Sequence, residues 1–332
     1  MQTIFKYKNV EAMRFIKAIK KRLPVFRHDK QDFGAYIALT NMFWPIIARL
    51  PKPVFKIIMR RKNKQVLHFL NANLYSVIDK YKDVKGIEQY DKKAPIWVCW
   101  LQGENQLPAL CRKCVDSIIA HSNGHPVILI SFENYSDFVE IPIIILNKYK
   151  AGLIGQAHFS DILRTALLAE KGGCWLDATI LVTRNIEEEI FRHPIYSCKF
   201  QPDHKYITQN MWSNFFLVAQ KGAVTFRFVR DMLYEYLQRN SRFIDYFMMD
   251  YIIRIGYDNV DYIKEEIDAI PLNNTGVHDL KRMLKKEMTK DFLQKLFADT
   301  YIHKLDWRQV ASKYDFQTIG YNLFQDEKSL LH

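Results

Sequence analysis

A single carboxylate interrupts an otherwise apolar stretch of this sequence. Asp177 lies within GGCWLDATILV, residues 172–182. The preceding segment, HFSDILRTALLAEK (158–171), has helical spacing and places Asp161 and Arg164 three residues apart, on one face. Burying an ionised carboxylate is costly unless it is paired. Asp177 is therefore either a structural group that bonds loop amides or Arg164, or a ligand for a metal ion, a ribose hydroxyl or a sugar hydroxyl.

The elements that would hold these side chains are a helix over 160–171 and a strand over 174–182. Ser160 is a favourable N-cap, and it would place Asp161 in the first turn, where a carboxylate is stabilised. The two glycines between the segments end the helix and turn the chain into the strand. The strand carboxylate would then lie at the centre of the strand or towards its carboxyl end.

Residues 94–332 alternate between short apolar runs and segments with helical spacing. This alternation is typical of an α/β domain with a mostly parallel, twisted sheet flanked by helices. In such sheets, ligands bind beyond the carboxyl ends of the strands. The predicted strands are 96–101, 126–131, 141–147, 174–182 and 214–222. The further predicted helices are 107–122, 223–240 and 243–256, the last closed by Gly256.

The positive charge of the chain is concentrated towards its amino terminus. The formal net charge of the 332 residues is +12, yet residues 1–93 alone carry +14 and the remainder carries −2. Residues 1–93 also place apolar side chains at helical spacing, so we predict a basic helical region that ends near the polar segment 86–95. This region either docks onto an anionic membrane surface or a partner, or is a helical cap with a solvated basic face.

Composition and cysteine content restrict the class of protein. Twelve glycines and eleven prolines are too few for a collagen-like or low-complexity chain. The five cysteines are irregularly spaced, so we expect a reducing compartment and no disulfide framework. Cys111 and Cys114 form either a metal or redox pair or two cysteines one helical turn apart. The opening segment lacks the apolar core of a signal peptide, and the longest uncharged run, 33–48, is too short to span a bilayer.

The segment SDILRTALLAEKGGCWLDAT, residues 160–179, resembles the core signature of the capsular polysaccharide synthesis proteins. That family is related to sugar-transferring enzymes with a DXD motif, among them yeast initiation-type mannosyltransferases and the clostridial glucosylating toxins. The resemblance implies a GT-A-type nucleotide-sugar-binding fold over residues 94–332. Looser similarity is found at 96–103, 213–222, 244–253 and 301–307.

The resemblance also implies ligands for particular residues. It implies a nucleotide-sugar donor, with UDP-sugars favoured, and a divalent metal ion, usually Mn²⁺. It implies that Asp161 and Arg164 hold the donor's sugar and diphosphate, and that Asp177 is the first acid of the DXD motif. Thr179 stands at the second acid, and its hydroxyl is a weak ligand for a hard cation. Metal binding would then rest on Asp177, with His303 as the further candidate ligand; otherwise His303 is a lone surface or core histidine.

Other side chains could serve donor binding. Lys304 could neutralise the diphosphate. Trp100, Gln102 and Gly103, at the end of the first strand, could hold the nucleotide base or could simply pack in the core. Asn214, near the start of a later strand, is a further candidate for the donor site.

Two further carboxylates are candidates for catalysis beside Asp177. Asp245 and Asp250 lie on the helix predicted over 243–256, where either could bind the acceptor or take its proton. A spacing of five residues does not align them on one helical face, so we expect at most one of them to line the site.

The sequence thus supports two hypotheses of different classes. The first is a glycosyltransferase that moves a sugar to a lipid-linked or oligosaccharide acceptor in bacterial capsular or surface polysaccharide synthesis. Retention of the anomeric configuration is implied by the resemblance, and the protein would act in the cytoplasm, peripheral to the inner face of the plasma membrane. The second is a catalytically weak GT-A-like scaffold of a polysaccharide assembly complex, motivated by the missing second acid. A nucleic-acid partner is disfavoured because the charge is confined to one segment and no RNA-binding signature occurs.

Overall fold

The computed structural model describes residues 23–86, 89–203, 206–287, 289–310 and 313–325. The amphipathic pattern predicted for residues 1–22 lies outside the described part. The helices before the first strand are α1 (described over 23–33), α2 (Ala35–Met42), α3 (Trp44–Ile47), α4 (Lys52–Asn73) and α5 (Tyr75–Tyr81). The later helices are α6 (Ala109–Ala120), α7 (Ile143–Lys150), α8 (Gln156–Glu170), α9 (Val224–Arg239), α10 (Met248–Asn259), α11 (Asp261–Asp268), α12 (Asp279–Met283), α13 (Lys290–Asp299) and α14 (Ile319–Gln325).

A five-stranded sheet forms the centre of the molecule, with strand order β2-β1-β3-β6-β5. β1 pairs in parallel with β2 and β3, whereas β6 lies antiparallel between β3 and β5. Four of these five strands therefore run in one direction, which confirms a mostly parallel sheet flanked by helices. β4 and β7 form a separate antiparallel pair. The strands are β1 (Ile96–Cys99), β2 (Val127–Ile130), β3 (Gly173–Asp177), β4 (Ile180–Val182), β5 (Ile195–Ser197), β6 (Phe216–Ala219) and β7 (Ile302–Lys304).

The glycine turn before β3 is required by the close approach of two strands. Gly173 has φ +97, and a Cβ on it would lie 2.2 Å from the carbonyl oxygen of Pro95. Gly172 also has a positive φ, and its carbonyl oxygen accepts a hydrogen bond of 2.8 Å from the indole of buried Trp97. Only glycine fits such a backbone without strain. The turn therefore fixes β3 beside β1 and determines the position of Asp177 at the end of β3.

Two of the predicted strands are different in the structure. Residues 141–147 form no strand, because α7 begins directly after Pro142; proline lacks the donor for a strand ladder and suits a helix start. An apolar run of this length does not distinguish strand from buried helix. The strand predicted over 174–182 is interrupted after Asp177, since β3 pairs in the main sheet and β4 pairs with β7. Asp177 is consequently the last residue of β3.

Three of the predicted helix ends are also wrong. α8 begins at Gln156, preceded by the extended residue Gly155, so Ser160 is not an N-cap and Asp161 lies beyond the first turn. α10 spans Met248–Asn259 and not 243–256, so Asp245 precedes the helix, and Gly256 lies inside it instead of ending it. A Cβ on Gly256 would lie 3.0 Å from Phe228 and Ile263, so glycine serves the close packing of α10 on its neighbours.

The basic helices pack onto the sheet domain, and Ile47, Phe55 and Met59 also form a small hydrophobic cluster of their own. α4 contacts α10 and α5 contacts α9, and buried side chains of α4 and α5 belong to the same hydrophobic core as the main sheet. The Tyr81 hydroxyl donates a 2.7 Å hydrogen bond to Asp231 of α9. Every helix in the described part of the chain is too short or too polar to cross a membrane.

A buried ion pair joins α4 to the segment before α10. Lys62 Nζ lies 2.5 Å from Asp245 Oδ2, with 4% and 5% of the two side chains exposed. Lys62 also donates to Asn41 Oδ1 at 2.7 Å, and Asp245 Oδ1 accepts the backbone N–H of Phe247. The pair therefore anchors the amino-terminal helices to the chain that leads into α10.

We expect Lys62→Ala to lower the free energy of unfolding by about 3 kcal/mol, because it leaves the Asp245 charge buried without its partner. Lys64→Ala, at an exposed position of the same helix, should change it by less than about 0.5 kcal/mol. Urea unfolding followed by circular dichroism measures both values. Equal stability of the two variants would show that the buried pair does not anchor α4.

Candidate functional site

A cavity of about 960 Å³ opens at the carboxyl ends of the central parallel strands. Its floor includes Cys99, the last residue of β1, and Asp177, the last residue of β3. Asp161 and Arg164 of α8 lie on one side, and Lys304 of β7 lies on another. This is the edge at which an α/β sheet binds its ligands.

Cationic side chains contact both oxygens of the Asp177 carboxylate. Lys304 Nζ donates to Asp177 Oδ2 at 2.5 Å, and Arg164 donates to Oδ1 at 3.2 Å. The indole N–H of Trp175 also donates to Oδ1, at 3.0 Å. Although burial opposes ionisation, the charges of Lys304 and Arg164 lower the pKa of Asp177 to about 2. The carboxylate is therefore ionised at every physiological pH.

Arg164 is the second fixed charge of the site. Its guanidinium donates to the carbonyl oxygen of Asn214 at 2.6 Å and lies 3.4 Å from Asp161 Oδ1. It also lies over the ring of Trp175, 4.7 Å from the centroid. Its Nε is buried and has no hydrogen-bond partner among the described residues, and the same holds for Asn214 Oδ1. Such unpaired buried atoms beside a cavity are what a bound ligand or ordered water would satisfy.

Asp250 forms a second acidic position on the cavity wall. Its Oδ1 accepts hydrogen bonds from the Trp212 indole at 2.9 Å and from the Asn214 amide at 2.8 Å. Burial, and the charge of Asp161, raise the pKa of Asp250 to about 7. Burial likewise raises the pKa of Asp161 to about 6, against the opposing influence of Arg164. The cavity thus combines one permanently ionised carboxylate with two that titrate near neutrality.

Several predicted site residues meet in this cavity, namely Trp100, Asp161, Arg164, Asp177, Asn214, Asp250 and Lys304. Asp245 does not line it, because its carboxylate is held by Lys62 in a neighbouring cavity. Gln102 is exposed and donates to Gln156 at 3.1 Å, outside the cavity lining. Gly103 has φ +87 and forms the turn after β1, also outside the lining.

His303 lies on the opposite face of β7 from Lys304. It is fully buried, its Nε2 lies 3.2 Å from the Thr183 hydroxyl, and its ring packs edge-on against Phe297. Burial lowers the pKa of His303 to about 3, so the imidazole is neutral. Alternation along the strand turns it away from the cavity.

The available side chains do not fit the Mn²⁺ ion that the resemblance implies. A hard cation takes six or so oxygen ligands, mostly carboxylates and carbonyls. The described residues contain no group of three or more His, Cys, Asp and Glu side chains that could hold a metal. Both Asp177 oxygens face cationic donors, Thr179 Oγ1 accepts from Lys304 at 2.7 Å, and His303 points elsewhere. Cys111 and Cys114 are both buried on α6, one helical turn apart.

The cavity also contains residues that sequence patterns did not indicate. His278 lies on the wall from the loop before α12, 5.7 Å from the Phe215 ring, and burial lowers its pKa. No spacing marks a loop histidine of this kind. The amino-terminal helices add an apolar wall made of Trp44, Leu50, Phe55 and Met59. The helical periodicity of α4 indicated a buried face but not that part of it lines a cavity.

Comparison with known proteins yields one family. The family model described as capsular polysaccharide synthesis protein matches residues 49–322 of the chain. The match begins within the basic helical region, before the domain boundary that the sequence predicts near residues 86–95. It therefore includes α4 and α5. No curated protein matches the chain. No solved structure matches it either.

We expect Asp250→Asn to flatten the pH dependence of stability. The folded pKa of Asp250 is raised above its unfolded value, so this group stabilises the fold at low pH and loses that contribution as pH rises towards 7. Asparagine can keep both hydrogen bonds without the charge, so the variant should gain up to about 4 kcal/mol relative to wild type between pH 4 and 8. Urea unfolding at several pH values measures this, and parallel curves for the two proteins would contradict the shifted pKa.

Proposed function

The chain belongs to the capsular polysaccharide synthesis protein family, and from that premise we propose that it is a glycosyltransferase that uses a nucleotide-sugar donor. The observation that carries the proposal is the pair of cations, Arg164 and Lys304, held around Asp177 at the carboxyl ends of the parallel strands. A carboxylate can orient sugar hydroxyls, and adjacent cations can stabilise the charge of a departing diphosphate.

The cavity has the size and lining that a nucleotide-sugar needs. Its volume of about 960 Å³ lies at the upper end of the range for small-molecule sites. Trp100 and Phe215 offer aromatic surface for a base, while Asp161 and Asp177 offer oxygen acceptors for sugar hydroxyls. The unpaired Arg164 Nε and Asn214 Oδ1 supply a donor and an acceptor at the same wall. A UDP-sugar is our favoured donor, on the family resemblance.

A GT-A-type arrangement is supported by the course of the chain around Asp177. β3 ends at Asp177, and after two residues the chain enters the small β4–β7 sheet, which brings Lys304 back to the carboxylate. In the main sheet, β6 runs antiparallel to the other four strands, which share one direction. The residues that we propose for donor binding lie at the junction of the two sheets in this topology.

Asp250 is the proposed base for the acceptor. Its Oδ1 accepts hydrogen bonds from two N–H donors, whereas Oδ2 accepts none from the described residues. A pKa of about 7 suits a group that must accept a proton near neutrality. In the proposed transfer, the bond between the sugar carbon and the diphosphate oxygen breaks and its electron pair stays on the oxygen. The acceptor hydroxyl bonds to that carbon and gives its proton to Asp250. Retention of configuration is our expectation from the resemblance alone.

A lipid-linked acceptor at an anionic membrane surface is supported by the two sides of α4. Phe55 and Met59 of this helix face the cavity, whereas Val54 and Ile57 are 44% and 70% exposed. The exposed lysines and arginines of the same helix, Lys52, Lys56, Arg60 and Arg61, surround that apolar pair. Basic and apolar side chains together bind the headgroup region of anionic bilayers. We propose that the lipid part of the acceptor stays in the inner leaflet while its sugar reaches the cavity, so the protein works on the cytoplasmic face.

The donor is testable with a panel of UDP-, GDP- and CMP-sugars. We expect one donor to be bound and slowly hydrolysed, and Asp177→Asn to reduce that hydrolysis by about 100-fold or more, because the sugar and both cations lose their shared partner. Asp116→Asn, at an exposed position of α6, is the matched control and should keep wild-type rates. Absence of binding for every donor would instead favour a scaffold role in polysaccharide assembly.

The membrane contact is testable with sedimentation of vesicles containing anionic phosphatidylglycerol. Val54→Ser with Ile57→Ser should weaken binding by about tenfold, because two apolar side chains no longer enter the bilayer. Ile119→Ser with Ile143→Ser is the control, since these isoleucines are 55% and 67% exposed on other helices. Equal losses in the two double variants would argue against α4 as the contact surface.

A further inference from the structure

Lys304 lies where a transferase with two acids would hold a cation. The antiparallel pairing of β4 and β7 aligns Ile180 with Lys304, and the backbone N–H of Leu305 donates to the Thr179 carbonyl. The Lys304 ammonium therefore sits between the two side chains that follow the DXD spacing. Its distances are 2.5 Å to Asp177 Oδ2 and 2.7 Å to Thr179 Oγ1.

The ammonium keeps one N–H available for a ligand. Lysine carries three N–H donors, and two are used by Asp177 and Thr179 among the described residues. The side chain is 23% exposed and lies on the cavity wall. The Thr179 hydroxyl, which accepts from Lys304, can also donate its own proton to a phosphate oxygen. A diphosphate at this place would thus meet the Lys304 charge and a hydroxyl donor together.

A divalent cation at the same place would have to displace existing contacts. It would compete with Lys304 for Oδ2 of Asp177 and with Arg164 and Trp175 for Oδ1. Replacing the second acid by Thr179 removes the carboxylate that would offset two extra positive charges. The Asp177 carboxylate already lies between two fixed cations, so added positive charge is disfavoured there.

We propose that Lys304, held between Asp177 and Thr179, takes the place of the divalent cation and that this transferase binds its donor diphosphate without metal. The inference rests on the proposed function and adds to it how the leaving group is stabilised. When the sugar–oxygen bond breaks, the electron pair remains on the terminal phosphate oxygen, and the ammonium of Lys304 neutralises that oxygen. Arg164, on the other side of Asp177, assists it. No metal-bound species takes part.

The test is titration calorimetry of the full chain with UDP and GDP, in EDTA and in excess Mn²⁺. We expect the nucleotide that binds to do so with affinities that differ by less than about threefold between the two buffers. Lys304→Met, which keeps the apolar stem and removes the charge, should weaken binding by about 30-fold or more in both buffers. Lys171→Met, an exposed lysine at the end of α8, should bind as wild type does.

A double variant tests whether a divalent cation can replace the Lys304 ammonium. Thr179→Asp with Lys304→Met restores two acids at the DXD spacing and removes the ammonium. We expect its nucleotide affinity to rise by about tenfold when Mn²⁺ replaces EDTA, because carboxylates are the preferred ligands of hard cations. Thermal unfolding of each variant establishes that it is folded before titration.

The outcomes separate the inference from the function on which it rests. Binding by the wild type in EDTA, together with its loss in Lys304→Met, supports the inference. Binding by the wild type only with Mn²⁺ overturns it and leaves the nucleotide-sugar proposal standing. Failure of the wild type to bind either nucleotide in both buffers overturns the inference, and together with a negative result for every donor of the panel it overturns the proposed function as well.

Discussion

The pairing of Asp177 with two cations is the interaction on which the architecture of the site depends. Arg164 comes from α8, which directly precedes β3, and Lys304 comes from β7, 127 residues after Asp177, so a local and a long-range contact meet at one carboxylate. Loss of either cation would leave Asp177 with a single charged partner and would remove one of the two links between these elements. The same charges that hold these elements together face the cavity. Their arrangement is therefore preorganised for an anionic group, and little reorganisation is needed when one binds.

The amino-terminal helices complete the site and do not only cover it. The buried Lys62–Asp245 pair ties α4 to the segment before α10, and the next residues, Tyr246 and Phe247, line the cavity. Asp250 follows on α10 itself. A change in the position of α4 would thus move the residues on the proposed acceptor side of the cavity. This connection gives a physical reason for the family match to begin at residue 49, within the basic region.

The sequence predicted the parts of the fold that local chemistry determines. The glycine turn, β3 and the face shared by Asp161 and Arg164 follow from spacing and backbone freedom, and the structure confirms them. The isoleucine run after Pro142 was misread as a strand because apolar runs look alike in strands and buried helices.

Long-range packing explains the features of the site that the sequence did not predict. Asp245 has the residue type of a catalytic acid, and only packing against α4 reveals its partner. The contact between Lys304 and Thr179 likewise requires the β4–β7 register, which no local pattern specifies. His278 also lines the cavity from a loop whose position depends on long-range packing and not on a local sequence pattern.

The proposal that underlies the function is that the cations around Asp177 receive the donor diphosphate. A crystal structure of the chain, grown in EDTA with the nucleoside diphosphate that binds best, tests it directly. We expect a terminal phosphate oxygen within hydrogen-bonding distance, about 3 Å, of Lys304 Nζ and close to the Arg164 guanidinium. A diphosphate bound away from both cations, or one seen only with Mn²⁺ between it and Asp177, would show that these cations do not receive it.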